Sequence, residues 1–186
     1  MAKSLYESSE AVRELFNRAD DALSMKLSKY CFEGPSSDLT KTSICQPALF
    51  LHGFAVVQIM REKGILGEPA TALGLSLGEL TAHAFAGTFS FEEGLKIVAE
   101  RGRLMQEACD ASQGAMASFI GGTPESVAEY CKEFDVDMST INCPGQVVIS
   151  GEAAKVAAAV EAAKSRKAFK LVVMLKVAGA YHSRLM

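Results

Sequence analysis

Long basic runs are missing from this 186-residue chain, whose net charge is −3. Nucleic acid is therefore not an expected partner, because phosphate neutralisation needs clustered Lys and Arg. No apolar run reaches the length of a membrane span, so no membrane association is expected. Cysteine pairs at C-x-x-C spacing are lacking. The five cysteines (Cys31, Cys45, Cys109, Cys131 and Cys143) are odd in number, and only three histidines accompany them. Zinc-ligand spacing is thus excluded, and the thiols read as small hydrophobes in a reducing compartment. The opening Met-Ala-Lys-Ser leads into a helical pattern with Glu7, Glu10 and Glu14, which is neither a signal nor a transit peptide. There is no repeat and no low-complexity linker. At 49% hydrophobic residues the chain is globular rather than disordered, with room for one domain and a subdomain.

What is present is more specific. Gly74-Leu75-Ser76-Leu77-Gly78 follows a short apolar run, Pro69 to Leu73, that reads as a strand, and precedes a helix predicted over 77–86. A serine with a glycine two residues away on each side, between strand and helix, is the pattern of a nucleophile elbow. A side chain at either glycine is expected to collide with neighbouring backbone. The turn would lift the Ser76 hydroxyl and aim the first helical N–H groups at its target. The competing reading is a capping box, with Ser76 as N-cap and Glu79 three residues on. That reading requires neither glycine.

Helices are predicted over 4–23, 43–63 and 90–109, with a loop over 31–42 marked by Gly34, Pro35, Ser36 and Ser37. After Gln113 the rhythm changes to strand 115–120, helix 124–134, strands 137–141 and 146–150, helix 153–164 and strand 169–175. That β-α-β-β-α-β order is the ferredoxin-like split unit. The expected organisation is an α/β body over 1–110 and 176–186, with a ferredoxin-like subdomain over 111–175.

A base for Ser76 must be one of three histidines. His83 lies two helical turns, about 10 Å, beyond Ser76, and His52 has no motif around it. His182, in Ala178-Gly-Ala-Tyr-His-Ser183, remains, and the small residues before it suggest a close backbone approach. On helix 91–108, Arg101 is three residues after Val98 and four before Met105, so it shares their inward stripe, whereas Arg103 points outward. A buried guanidinium needs a partner. The bland readings are an internal Asp or Glu, or a head group that snorkels to solvent; the functional one is a carboxylate on the substrate held bidentately. Gly94 and Gly102 on the same side would allow close helix approach. Asn142, Pro144, Gly145 and Gln146 form a polar turn between two strands; turn chemistry suffices for Pro144-Gly145, whereas Asn142 and Gln146 could also line a cleft.

The segments LYESSEAVRELFNRAD, CFEGP, QPALF, GLSLGE, RGRLMQEA, GAMA, INCPGQVVISG and VAGAYHSRLM, spread over nearly the whole chain, resemble the malonyl-CoA:acyl-carrier-protein transacylases and the related acyltransferase domains of polyketide synthases. The resemblance implies an α/β-hydrolase-like body with a parallel sheet. It implies Ser76 as the acylated nucleophile, His182 as general base, Arg101 as clamp for the malonyl carboxylate, and the N–H of Leu77 as an oxyanion donor. Gln46, Met105, Asn142 and Gln146 match positions near the family's cleft. The implied reaction passes a malonyl group from malonyl-CoA to the phosphopantetheine thiol of acyl carrier protein, in fatty acid biosynthesis. No cofactor would be bound permanently. The enzyme would be a monomer, cytoplasmic in a bacterium and plastid or mitochondrial in a eukaryote. Leu75 stands where many members have histidine, and Tyr181 where phenylalanine is common. The family's opening strand, with its second oxyanion donor, would precede Met1. Further strands, and the carbonyls that orient the base, would follow Met186, so the stretch reads as truncated at both ends. Rival readings are a polyketide acyltransferase domain, a non-catalytic fragment and a serine esterase. The esterase would need an acidic triad member and no inward arginine.

Overall fold

The computed structural model describes all residues from 1 to 186. It divides into two units, Met1–Leu104 and Met105–Met186. The structure is mixed α/β, and its single sheet is small and antiparallel.

Helices are the only regular elements of the first unit. The helix predicted over 4–23 is broken into α1 (Lys3–Ser8) and α2 (Glu10–Leu23). Ser9 turns extended at the break, and its Oγ accepts the Val12 N–H at 3.2 Å as an N-cap. Helix α3 (Leu27–Glu33) begins before the predicted loop and runs into it, and α4 (Ser36–Leu39) lies wholly within it. Leu27 and Cys31, one turn apart, are buried and hold α3 against the core, and Asp20 accepts the Ser28 N–H at 2.9 Å near its start. The turn residues at 34–37 obscured this short apolar stripe. Then come α5 (Thr42–Glu62), α6 (Leu77–Phe85) and α7 (Phe91–Ala111), the last running on into the second unit. Val12, Phe16, Leu27, Phe50, Leu51, Leu95 and Val98 form the core of this unit.

Two expectations are corrected here. Pro69 to Leu73 is not a strand, and the first unit holds no parallel sheet. A strand is made by pairing, and this unit offers only helices; Leu73 is 90% exposed. Second, α5 is long and apolar enough to cross a membrane by length and composition alone. Ala48, Phe50, Leu51 and Ala55 on α5 nonetheless pack into the core.

In the second unit β1 (Gly114–Ile120), α8 (Pro124–Phe134), β2 (Asp137–Cys143), β3 (Gln146–Glu152), α9 (Ala153–Ser165) and β4 (Leu171–Met174) follow the β-α-β-β-α-β order. The sheet order is β2-β3-β1-β4, antiparallel throughout, which is the arrangement of the split unit. Ala117 and Phe119 on β1 and Val147 and Ile149 on β3 pack with Val127 of α8 and Val156 and Val160 of α9. A Thr123–Ser126 capping box starts α8. Burial pushes the Cys31 and Cys131 thiols up to about 11, so neither is a thiolate at neutral pH. No group of three or more His, Cys, Asp or Glu side chains is arranged to hold a metal.

Candidate active site

The chain from Leu66 to Gly74 approaches the start of α6 without regular structure. A Cβ on Gly74 would lie 1.9 Å from the carbonyl carbon and oxygen of Gly78, so only glycine fits there. A Cβ on Gly78 would meet nothing within 4 Å. The expectation that both glycines are sterically required is therefore corrected: Gly78 offers its backbone to the contact, and its own side-chain direction is open. Gly74→Ala is expected to lower the melting temperature sharply and Gly78→Ala to change it little. Thermal unfolding followed by circular dichroism checks this, and equal shifts would refute it.

Between them Ser76 adopts φ +53° and ψ −108°, an unfavourable conformation for a residue with a Cβ. Such strain persists where the surroundings impose it and concentrates at functional sites. Ser76 precedes Leu77, the first residue of α6, yet its side chain makes no capping hydrogen bond. The capping-box reading is thus not realised. Instead Arg101 Nη2 donates to Ser76 Oγ at 2.9 Å.

Arg101 reaches this position from α7. Thr42 Oγ1 on α5 donates to the Gly102 carbonyl at 2.7 Å, and a Cβ on Gly102 would come within 2.4 Å of the Thr42 carbonyl oxygen. The two helices are pinned backbone to backbone there. One turn along α5 from Thr42, buried Gln46 presents Oε1 to Arg101 Nη1 at 2.5 Å. The guanidinium is half-buried, and burial lowers its pKa from the ordinary value. Arginine nonetheless stays charged. Its two side-chain partners, Gln46 and Ser76, are neutral, and no carboxylate is paired with it. Arg103 ion-pairs with Glu100 at 2.6 Å, pointing outward as expected.

The structure thus brings Ser76, Leu77, Arg101 and Gln46 together in the first unit. The Leu77 N–H is among the first of α6, which have no acceptor within the helix. His83 Nδ1 lies 3.4 Å from Thr88 Oγ1, and His52 is half-buried on α5. An apolar groove of about 590 Å³ runs over α5 and α6 past Leu49, Val57, Met60 and Phe85 and reaches Leu75, Leu77 and Gly78 on either side of Ser76. Neither Ser76 nor Arg101 lines it.

The other named residues belong to the second unit. Met105 is on α7 where that unit begins. Asn142 is exposed near the end of β2, and Gln146 opens β3 after the Pro144-Gly145 turn, in which Gly145 has φ +82°. His182 sits in the turn after β4 with φ +57°. The close approach expected before it is present: a Cβ on Gly179 would fall 2.4 Å from Cys109 Sγ. Ser139 Oγ on β2 donates to the Tyr181 carbonyl at 3.0 Å. Sequence reasoning overlooked Ser139, Asp137 and Arg184 around this turn. Nothing in local spacing links residues more than forty positions apart.

A family model described as "Acyl transferase domain" matches residues 1–186. The chain is 41% identical to the malonyl CoA-acyl carrier protein transacylase of Bacillus subtilis (strain 168), over all of this chain and 59% of that protein. Among solved structures it is similar to an acyl-carrier-protein S-malonyltransferase from Bartonella henselae, with TM-score 0.90, 41% identity, and coverage of 100% of this chain and 60% of the other. It is also similar to the transacylase in a complex of a type II PKS acyl-carrier protein with its malonyl-transacylase. There the TM-score is 0.92 and the identity 36%, with coverage of 100% and 61%. The chain therefore spans about 60% of the length of these relatives.

Proposed function

Since this chain belongs to the acyl transferase domain family, we propose that it transfers a malonyl group from malonyl-CoA to the phosphopantetheine thiol of an acyl carrier protein, in fatty acid biosynthesis. The observation that carries this is the half-buried Arg101 guanidinium, 2.9 Å from Ser76 Oγ and paired with no carboxylate. A charged group beside a nucleophile, with only neutral partners, suits an acyl group that brings its own carboxylate. An esterase for neutral acyl groups has no use for it.

In the first half-reaction Ser76 Oγ attacks the thioester carbonyl carbon while His182 takes its proton. The C–S bond breaks, and coenzyme A leaves with that proton as the thiol. The Leu77 N–H supports the oxyanion. In the second half-reaction the carrier's thiol attacks the seryl ester, His182 accepts the thiol proton, and Ser76 regains it as the ester opens. One oxyester lies between two thioesters of similar energy, so the cycle is ping-pong and reversible. Gln46 orients Arg101, while Met105, Asn142 and Gln146 line the acyl and pantetheine path. No bound cofactor is required.

We assign residues 1–110 and 176–186 to the acyltransferase body, which in this stretch is built of helices without a strand, and 111–175 to the ferredoxin-like subdomain. The protein acts as a monomer, in the bacterial cytoplasm or in a plastid or mitochondrion. A polyketide carrier is the second reading, favoured by the similarity to a transacylase in complex with a type II PKS carrier protein. Intact-mass spectrometry after incubation with malonyl-CoA tests the proposal. One malonyl adduct is expected, discharged by carrier protein bearing phosphopantetheine. No adduct on the natural full-length polypeptide would refute it. Discharge by a polyketide carrier alone would select the second reading.

A further inference from the structure

The turn that carries His182 is held by one end of β2. His182 has φ +57°, a left-handed conformation unfavourable for a residue with a Cβ. Contacts on both sides of it impose that conformation. On one side Ser139 Oγ donates to the Tyr181 carbonyl at 3.0 Å. The β2–β3 register shifts between Met138 and Thr140, so Ser139 is the extra residue of a bulge, a device that re-aims a side chain. On the other side the Arg184 backbone N–H donates to Asp137 Oδ2 at 2.8 Å. The Arg184 side chain returns to the same carboxylate, with Nη2 at 2.7 Å from Oδ1 and Nε at 3.1 Å from both oxygens. Its Nη1 reaches Asp135 Oδ1 at 2.7 Å. Asp135 caps α8 and is itself held by Lys155 at 2.7 Å, which also meets Glu152.

We propose that Asp137 is a positioning residue for the reaction: by gripping both the backbone and the guanidinium of Arg184 at the start of β2, it sets where the His182 ring stands. The proposal rests on the reading of His182 as the base. A stabilising role alone accounts poorly for the arrangement. The Arg184 side chain is 58% exposed, and exposed ion pairs add little to stability. A carboxylate that takes a backbone N–H and a forked guanidinium together fixes geometry, and the residue it fixes is two positions from His182. The Arg184 contacts also hold the Asp137 carboxyl below the usual carboxylate range, so the clamp stays charged. Ser183 Oγ closes the turn onto the Ala180 carbonyl at 2.7 Å, so the backbone is held on both sides of His182.

The test is burst kinetics of malonyl-serine formation in the natural full-length polypeptide. Asp137→Asn and Arg184→Met are compared with Arg184→Lys, His182→Gln and the parent. Burst amplitude counts folded sites; burst rate reports chemistry. Asp137→Asn and Arg184→Met are expected to keep the amplitude and the malonyl-CoA KM. Their burst rate should fall on the order of 10- to 100-fold, the scale of a misplaced catalytic group. Arg184→Lys, which keeps the charge and loses the fork, should fall between them and the parent. In protein labelled with ¹³C at histidine Cε1, the His182 resonance should shift or broaden in Asp137→Asn. A parental burst rate in Asp137→Asn, or a loss of amplitude with no change in rate, would overturn the positioning role. If His182→Gln slows the burst while Asp137→Asn does not, only this inference fails. If His182→Gln is itself as fast as the parent, the base assignment fails first.

Discussion

Ser76→Ala is expected to abolish the malonyl adduct and to slow transfer by at least about 10³-fold, as removal of a covalent nucleophile does. The fold should survive. Alanine keeps the Cβ, so the strained backbone at φ +53° is no worse for it. The hydroxyl caps no helix whose end would fray without it. The melting temperature should therefore stay near that of the parent while the activity disappears. Peptide mass mapping decides the matter. An adduct that persists in Ser76→Ala, or that maps to exposed Cys143, would show that the elbow serine is not the acylated group.

How much of this was legible in the residues depended on how local the information is. The β-α-β-β-α-β run could be read because each element announces itself: alternation in the strands, Pro124 at the head of α8, an Ala-rich α9, and a Pro-Gly turn between β2 and β3. Observed boundaries fall within about two residues of expectation, the usual precision of helix and strand ends. The run 69–73 failed because strand identity is not local. The same residues form a strand only if a partner edge lies alongside. Helix α3 was hidden by the glycine, proline and serines just beyond it.

The site divides the same way. Arg101 could be placed on the inner face of α7 by its distance from Val98 and Met105, and Val98 is fully buried. That it would end on Ser76 Oγ, 25 residues away, and on Gln46, 55 residues away, is a tertiary fact. Gln46 entered only through resemblance. Its one local signal is a buried amide in an otherwise apolar stretch, a group that must find a hydrogen-bond partner. The Asp137–Arg184 grip spans 47 residues and left no trace in spacing.

Arg101→Ala should separate the two substrates that differ only in a carboxylate. With malonyl-CoA the variant loses a charge-assisted fork to the substrate, in a site half withdrawn from water. Breaking such a pair costs roughly 2–5 kcal/mol. With acetyl-CoA there is no carboxylate to lose. Both substrates lose the donor to Ser76 Oγ, and both leave Gln46 Oε1 without that partner. Those shared losses cancel in the ratio. The malonyl-to-acetyl ratio of kcat/KM is therefore expected to fall by roughly 30- to several-thousand-fold, the same energy expressed as a rate. Arg101→Lys should recover only part of it, because a lysine supplies the charge without the planar fork. Parallel measurements of acyl transfer from the two thioesters check this. Equal losses would show that Arg101 serves only to hold Ser76 and Gln46 in place. The unpaired guanidinium would then have lost its reason for standing beside the nucleophile, and the esterase reading would return.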